Sequence, residues 1–268
     1  MARELRMQNR AGIVPVKSKT LLEVSLDSVE SAVAAQRGGA GQVELCANLP
    51  EGGTTPSAGL IATVRKAISI GLQVMVRPRG GDFCYSAQEF EVMKRDILMA
   101  KQLRADGIVL GILSRDGTVD VKRTRELVEL SRPAGVTFHR AFDMTNNLSK
   151  ALEAVIECGA ARILTSGGEA AAEKAVDAIR ALVEAAQSRI AVMVCGGVRE
   201  NNARKIIEAT GAREVHVGQR GVEAAVRSQM RHRNEKISLG SVPEQEYRHF
   251  VVSEERVKNL VRALATPT

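Results

Sequence analysis

GAGQVELC, residues 39–46, decides how this chain is read. A helix-stopping Gly39-Ala40 leads straight into a short, largely apolar run that suits a strand. The same arrangement returns as RADGIVLG (104–111), GAARILTSG (159–167) and GAREVHVG (211–218), each separated from the last by the length of two strand–helix units. Between these four lie four more apolar runs: LLEVSL from Leu21, LQVMV from Leu72, GVTFH from Gly135 and IAVMV from Ile190. Eight strands are therefore predicted, with a helix after each. Asp27 with Glu30, and Ser86 with Glu89, have capping-box spacing and predict helix starts. Phe90, Met93, Ile97 and Ala100 fall on one helical face, as do Leu148, Leu152, Val155 and Ile156. Gly39, Gly159 and Gly211 stand where helices should stop.

Aliphatic strands alternating with helices imply a parallel sheet, and eight such units close most economically into an α/β TIM barrel, (β/α)8, of one domain. An open doubly wound sheet would expose edge strands, and none of the eight runs is polar enough for an edge. The chain has 268 residues, close to the length such a barrel needs. The barrel is assigned to residues 20–268. Residues 1–19, with scattered charge, Gly12 and Pro15 but no periodicity, read as a flexible extension.

In a barrel, chemistry belongs at the C-terminal ends of the strands, and there the sequence turns polar. VMVRPRGGD (74–82) places Arg77 and Arg79 before Asp82, and VTFHRAFD (136–143) places His139 and Arg140 before Asp143. Guanidinium, imidazole and carboxylate groups must be paired or solvated where a strand emerges, so such clusters suit anion capture and proton transfer, or else structural ion pairs at the rim. Alternation aims Glu23 and Ser25 inward together on strand one, Glu44 and Cys46 on strand two, Thr137 and His139 on strand five, Glu214 and His216 on strand eight. Glu23, Glu44, Arg77, His139 and His216 are expected to converge at one barrel end. EGGTTPS (51–57) reads as a donor-rich turn whose Ser57 caps a helix near Leu60. Gly196, Gly197 and Gly218 follow strands seven and eight, where many barrels bind phosphate, and Ser166 after strand six opens a third donor-rich turn on the same rim.

Composition narrows the partners. The net charge of +7 would permit an anionic partner, but the basic residues are spread over the helices. With no Trp, two Tyr and five Phe, the chain lacks the stacking surface of a single-strand nucleic-acid binder. The basic segment 227–236 (RSQMRHRNEK) also lacks interleaved aromatics and reads as a mobile loop after strand eight. No apolar run approaches the length of a membrane span, and no signal peptide is visible, so a cytoplasmic protein with reduced thiols is expected. Cys46, Cys84, Cys158 and Cys195 are far apart and form no CxxC pair.

VELC (43–46), EGGTTPS (51–57), VMVRPRGGDF (74–83), VTFHRAFD (136–143) and ILTSGG (163–168) together closely resemble the CutC family, the copper homeostasis proteins. The resemblance runs from about Leu21 to Arg262. It implies a TIM barrel, a cytosolic homo-oligomer, and a role in handling copper, with Cu(I) binding suggested for some members and no organic cofactor. Cys46 keeps a family position and is the metal ligand this implies. Ser25 replaces a thiol that relatives often carry on the first strand, which weakens a soft site.

Two functions follow. One is a copper-binding homeostasis protein centred on Cys46. The other is an enzyme acting on a small anionic or phosphorylated metabolite, in which Arg77 and Arg79 fix the anion, His139 acts as general acid or base, and Asp143 or Glu44 orients it.

Overall fold

The computed structural model describes residues 20–226 and 249–265, together with 232, 234, 236 and 237. The extension 1–19 and most of the basic segment 227–236 lie outside the described residues. The eight expected strands form at β1 (Leu21–Leu26), β2 (Gln42–Leu45), β3 (Gly71–Met75), β4 (Gly107–Leu110), β5 (Gly135–Phe138), β6 (Arg162–Thr165), β7 (Ala191–Val194) and β8 (Glu214–Val217). They pair in sequence order, all parallel, and β8 closes on β1 through Leu21–Glu214, Leu22–Val215 and Glu23–His216. Helices α1 (Val29–Gly38), α2 (Ala58–Ala67), α3 (Ala87–Gln102), α4 (Val121–Ser131), α5 (Leu148–Glu157), α6 (Val176–Ala186) and α7 (Ala203–Thr210) alternate with them. The last, α8 (Glu254–Ala265), packs against α1 and α7.

Local chemistry explains where these helices begin and end. Ser86 and Glu89 make the reciprocal capping box at the start of α3, and the Phe90, Met93, Ile97, Ala100 stripe is buried against the sheet. Ser57 caps α2 by accepting from the Leu60 amide. Gly39, Gly159 and Gly211 all have positive φ, as stop positions should. The start of α1 differs from expectation. Ser28, not Asp27, is the cap, its Oγ accepting from the Ser31 amide, and Asp27 instead lines the barrel mouth.

Two strands have no counterpart in the sequence reading. β9 (Glu223–Val226) and β10 (His249–Val252) form an antiparallel pair beside the barrel. Three bonds fasten it: Ser253 N–H to the Val222 carbonyl, Val252 N–H to Ser31 Oγ, and Gln219 Nε2 to the Phe250 carbonyl. Strands so short carry little periodic signal, and their paired residues are 23 to 29 positions apart.

The aliphatic core fills the layer between strands and helices. Inside the barrel the apolar side chains form two small groups among the described residues, Cys46–Met75–Val109 and Leu164–Met193–Cys195, and buried polar side chains lie beside them.

Candidate functional site

Strand register builds the first half of the site. Glu23 lies opposite His216 across the β1–β8 closure, and Ser25 opposite Glu44 on β2. Glu23 Oε1 therefore meets His216 Nδ1 at 2.7 Å, while its Oε2 accepts from Gln42 Nε2 at 2.6 Å. Gln73 Nε2 extends the row to Gln42 Oε1. The other imidazole nitrogen, Nε2, stands 3.9 Å from Glu44 Oε2. Ligand atoms of Glu23, Glu44 and His216 all lie within 4.8 Å of one another, and all three residues are buried. Glu44 Oε1 has no hydrogen-bond partner among the described residues. Burial pushes the Glu44 carboxyl up to about 7, opposed by His216 and reinforced by Glu23. Burial alone would lower His216, but the Glu44 and Glu23 carboxylates outweigh it and raise its pKa.

Cys46 sits behind this group. Its Sγ is 3.6 Å from Glu44 Oε2 and packs among Met75, Val109 and Leu49 beneath Gly53, where a Cβ would stand 3.0 Å from the sulfur. Burial, then the Glu44 carboxylate, drive its pKa well above the ordinary thiol value, so at neutral pH it is a thiol. Glu214, on the same strand face as His216, has a structural partner in Arg162, which also reaches Thr137 Oγ1.

The second half is built on β3, β4 and β5. Arg77 is buried, its Nη1 donating to the carbonyls of Glu51 and Gly53 and its Nη2 to that of Gly81. The donor-rich 51–57 turn thus supplies acceptors to an arginine. The guanidinium lies 5.0 Å from the centre of the Phe83 ring, and the His139 ring lies 5.1 Å from the same ring. His139 Nδ1 accepts from the Ala141 amide at 3.1 Å. Burial, then the charge of Arg77, lower its pKa to about 3, so the ring is neutral with its proton on Nε2.

Other expected site residues are placed differently. Arg79 turns away from the lumen, pairing with Glu89 at 2.6 Å and Asp82 at 3.0 Å and holding the 80–84 turn through the carbonyls of Gly80, Asp82 and Cys84. It lies beyond the inward alternation of β3, which ends at Arg77, and neither Arg79 nor Asp82 lines the cavity. Asp143 does not orient His139. Its carboxylate accepts from Ser166 N–H and Oγ, Gly168 N–H, Thr165 Oγ1 and Arg140 Nε, tying the turn after β6 to that after β5. No hydrogen bond joins Glu44 to His139 either. Arg140 adds a bond to Ser166 Oγ at 2.6 Å.

The two halves share one cavity of about 840 Å³ at the C-terminal end of the barrel. Glu44, Arg77, His139, Arg140, His216, Gly196, Gly197 and Gly218 line it, with Cys195. Glu23 lies under it, bonded to His216. The expectation that Glu23, Glu44, Arg77, His139 and His216 gather at one barrel end therefore describes the structure. Phe83, Asp27, Met75 and, from the added strand pair, Glu223 and Phe250 are also among the wall residues; the sequence reading assigned none of them to the site. Phe83 immediately follows VMVRPRGGD and was within reach of that motif. Phe250 arrives only through pairing with β9.

Similarity to known proteins agrees with this architecture. The family model described as CutC family matches residues 20–221. The copper homeostasis protein cutC homolog of Mus musculus is 46% identical over 241 residues, covering 90% of this chain and 88% of the mouse protein. The Homo sapiens homolog is 47% identical over 221 residues, covering 82% and 80% respectively. Among solved structures, a copper homeostasis protein CutC from Streptococcus agalactiae superposes with a TM-score of 0.71 at 34% identity, over 74% of this chain and 98% of that one. A thiamine phosphate pyrophosphorylase from Pyrococcus furiosus, at 17% identity and a TM-score of 0.54 over 91% and 95%, shares the fold alone. With its strand-end motifs, its closed barrel and these relatives in agreement, the chain belongs to the CutC family of copper homeostasis proteins.

Proposed function

We propose that this chain acts in copper homeostasis by holding a copper ion at the barrel mouth, between Glu44 and His216. The observation that carries the reading is Glu44 Oε1, a buried carboxylate oxygen with no partner inside a ready cluster of ligand atoms. Glu23 on Nδ1 is the carboxylate that orients a metal-binding imidazole and leaves Nε2 for the ion. The donors test the fit. Oxygen and imidazole nitrogen suit Cu(II), whereas Cu(I) prefers thiolate, and the sulfur in contact with Glu44, that of Cys46, carries a proton that an ion would have to displace. Cu(II) is therefore assigned to Glu44 and His216, and Cu(I), under reducing conditions, to Cys46 beside them. Titration of chelator-treated protein, followed by calorimetry and by paramagnetic resonance of Cu(II), separates the two. Glu44→Gln should weaken Cu(II) at least tenfold, and Cys46→Ser should abolish Cu(I) binding. Unchanged affinity and stoichiometry in both variants would remove copper from this site.

The same reading makes the protein a cytoplasmic homo-oligomer. All four cysteines are unpaired, and among the described residues no helix is long and apolar enough to cross a membrane. Exposed Val92, Leu98 and Met99 on α3 offer apolar surface to a second copy.

A second reading is favoured by the size of the cavity, far larger than an ion needs. In it the chain is an enzyme performing acid–base chemistry on a small anionic substrate. Glu44 and His216 move the proton, Glu23 orients His216, and Arg77 and His139 hold the anion, with the glycine turns at 196–197 and 218 available to a phosphate. A turnover screen of metal-free protein against small carboxylates and phosphorylated metabolites tests this, and loss of any activity in Glu44→Gln is the expected result.

A further inference from the structure

Two buried N–H groups on residues of the cavity wall make no hydrogen bond among the described residues. His139 Nδ1 is occupied as an acceptor by the Ala141 amide, so the ring carries its proton on Nε2, and that atom has no partner. Arg77 Nε is also buried and makes no hydrogen bond among the described residues, with the Tyr85 hydroxyl, itself unbonded, beside the guanidinium, while both its terminal nitrogens are anchored on backbone carbonyls. The anchored guanidinium cannot turn to satisfy Nε without breaking those bonds. A buried donor left unsatisfied is costly, so a pair of them in one cavity wall marks a place built for an acceptor.

The surroundings define that acceptor. Both side chains pack on Phe83, and both line the cavity. The His139 ring reaches its place because residue 111 is glycine; a Cβ there would come within 2.6 Å of Cε1 and Nδ1. Of the unbonded groups on the residues that line the cavity, the two on side chains packed on Phe83 are donors, and one belongs to a fixed positive charge; Glu44 Oε1 and Gln219 Oε1 are acceptors. A planar carboxylate, with two acceptor oxygens, complements two N–H groups of this kind. We propose that His139 Nε2–H and Arg77 Nε–H receive the oxygens of a small organic carboxylate in the barrel mouth. This names the substrate class for the acid–base reading and rests on that reading only in treating the ligand as a substrate. Arg79, committed to Glu89 and Asp82, takes no part.

The test uses full-length, chelator-treated protein labelled with 15N at its four histidines. Acetate, pyruvate and inorganic phosphate are titrated in turn. Pyruvate and acetate should move the His139 Nε2 resonance, and calorimetry should show pyruvate binding at least tenfold weaker in His139→Phe and in Arg77→Lys, each checked for folding by circular dichroism. The wild-type resonance decides the matter even where a variant does not fold. Carboxylates that leave His139 unmoved, or bind the folded variants as well as the parent, overturn the proposal. Phosphate binding more tightly than either carboxylate, with the same dependence on His139, overturns the carboxylate class. Deuterium exchange into the pyruvate methyl group, compared with Glu44→Gln, is measured in parallel. Binding without exchange counts against the acid–base reading and leaves the carboxylate site standing, whereas absence of binding removes the site whatever the exchange shows.

Discussion

Replacing His139 with Phe should change how the stability of this protein responds to acid. The imidazole is buried beside the Arg77 guanidinium, and both effects oppose its protonation, taking its pKa from 6.5 to about 3. The unfolded chain binds a proton on His139 below pH 6.5, and the folded chain does so only near pH 3. The stabilisation from keeping it neutral is thus complete above the unfolded pKa and is lost as pH falls through the interval between the two values. At about 1.4 kcal/mol per unit, the part of that interval lying between pH 6.5 and pH 4 makes the loss from pH 7 to pH 4 about 3 kcal/mol. Phe keeps the ring and cannot titrate, so the variant should gain that amount relative to the parent on going from pH 7 to pH 4. Urea unfolding in the presence of a chelator, at half-unit steps, measures the difference. The comparison must be between variants, because Glu44 has the opposite slope in the parent. Parallel profiles for the two proteins, with a constant difference across the range, would refute a buried neutral imidazole.

Glu44→Gln should give the mirror result. A carboxyl raised from 4.5 to about 7 favours the fold below pH 4.5 and loses that advantage as pH rises through 7, so Gln should gain about 3 kcal/mol relative to the parent between pH 4.5 and pH 8 in chelated protein. Asp143→Asn should cost about 2–3 kcal/mol in urea unfolding, through weakened bonds to the 165–168 turn, and should leave the His139 nitrogen resonances where they are. Gly111→Ala should cost about 1–3 kcal/mol by overpacking and should shift those same resonances, because its Cβ would occupy the place of the ring.

Much of the site was legible because strand alternation is local. Glu23, Glu44, His139 and His216 each sit on the inward parity of a strand whose limits followed from its apolar run, and closing the barrel brings such positions together. Arg77 continued the parity of β3 by one step beyond its end and also lines the cavity. Arg79 did not, because alternation is enforced by ladder hydrogen bonds and ends where the ladder ends; past Met75 the turn follows its own bonds to Glu89 and Asp82. Asp143 misled for a related reason. It stands three residues after Arg140 and four after His139, but a 3-10 turn over 140–144 lets its carboxylate reach the amides of the next loop instead of the imidazole.

The sequence by itself determined the order and kind of the elements, the closed parallel barrel, the family, and the polar identity of the barrel mouth, because periodicity, caps and contiguous motifs are properties of neighbouring residues. Tertiary structure alone decided which polar groups pair. Arg162 neutralises Glu214 while Glu23 buttresses His216; Arg77 is held by three carbonyls of two loops; Phe250 reaches the cavity by way of a strand pair. It alone left Glu44 Oε1, Arg77 Nε and His139 Nε2 unbonded. Whether a buried polar atom is satisfied depends on ångström-scale distances to residues as many as 221 positions away, and no local pattern in a chain encodes such distances.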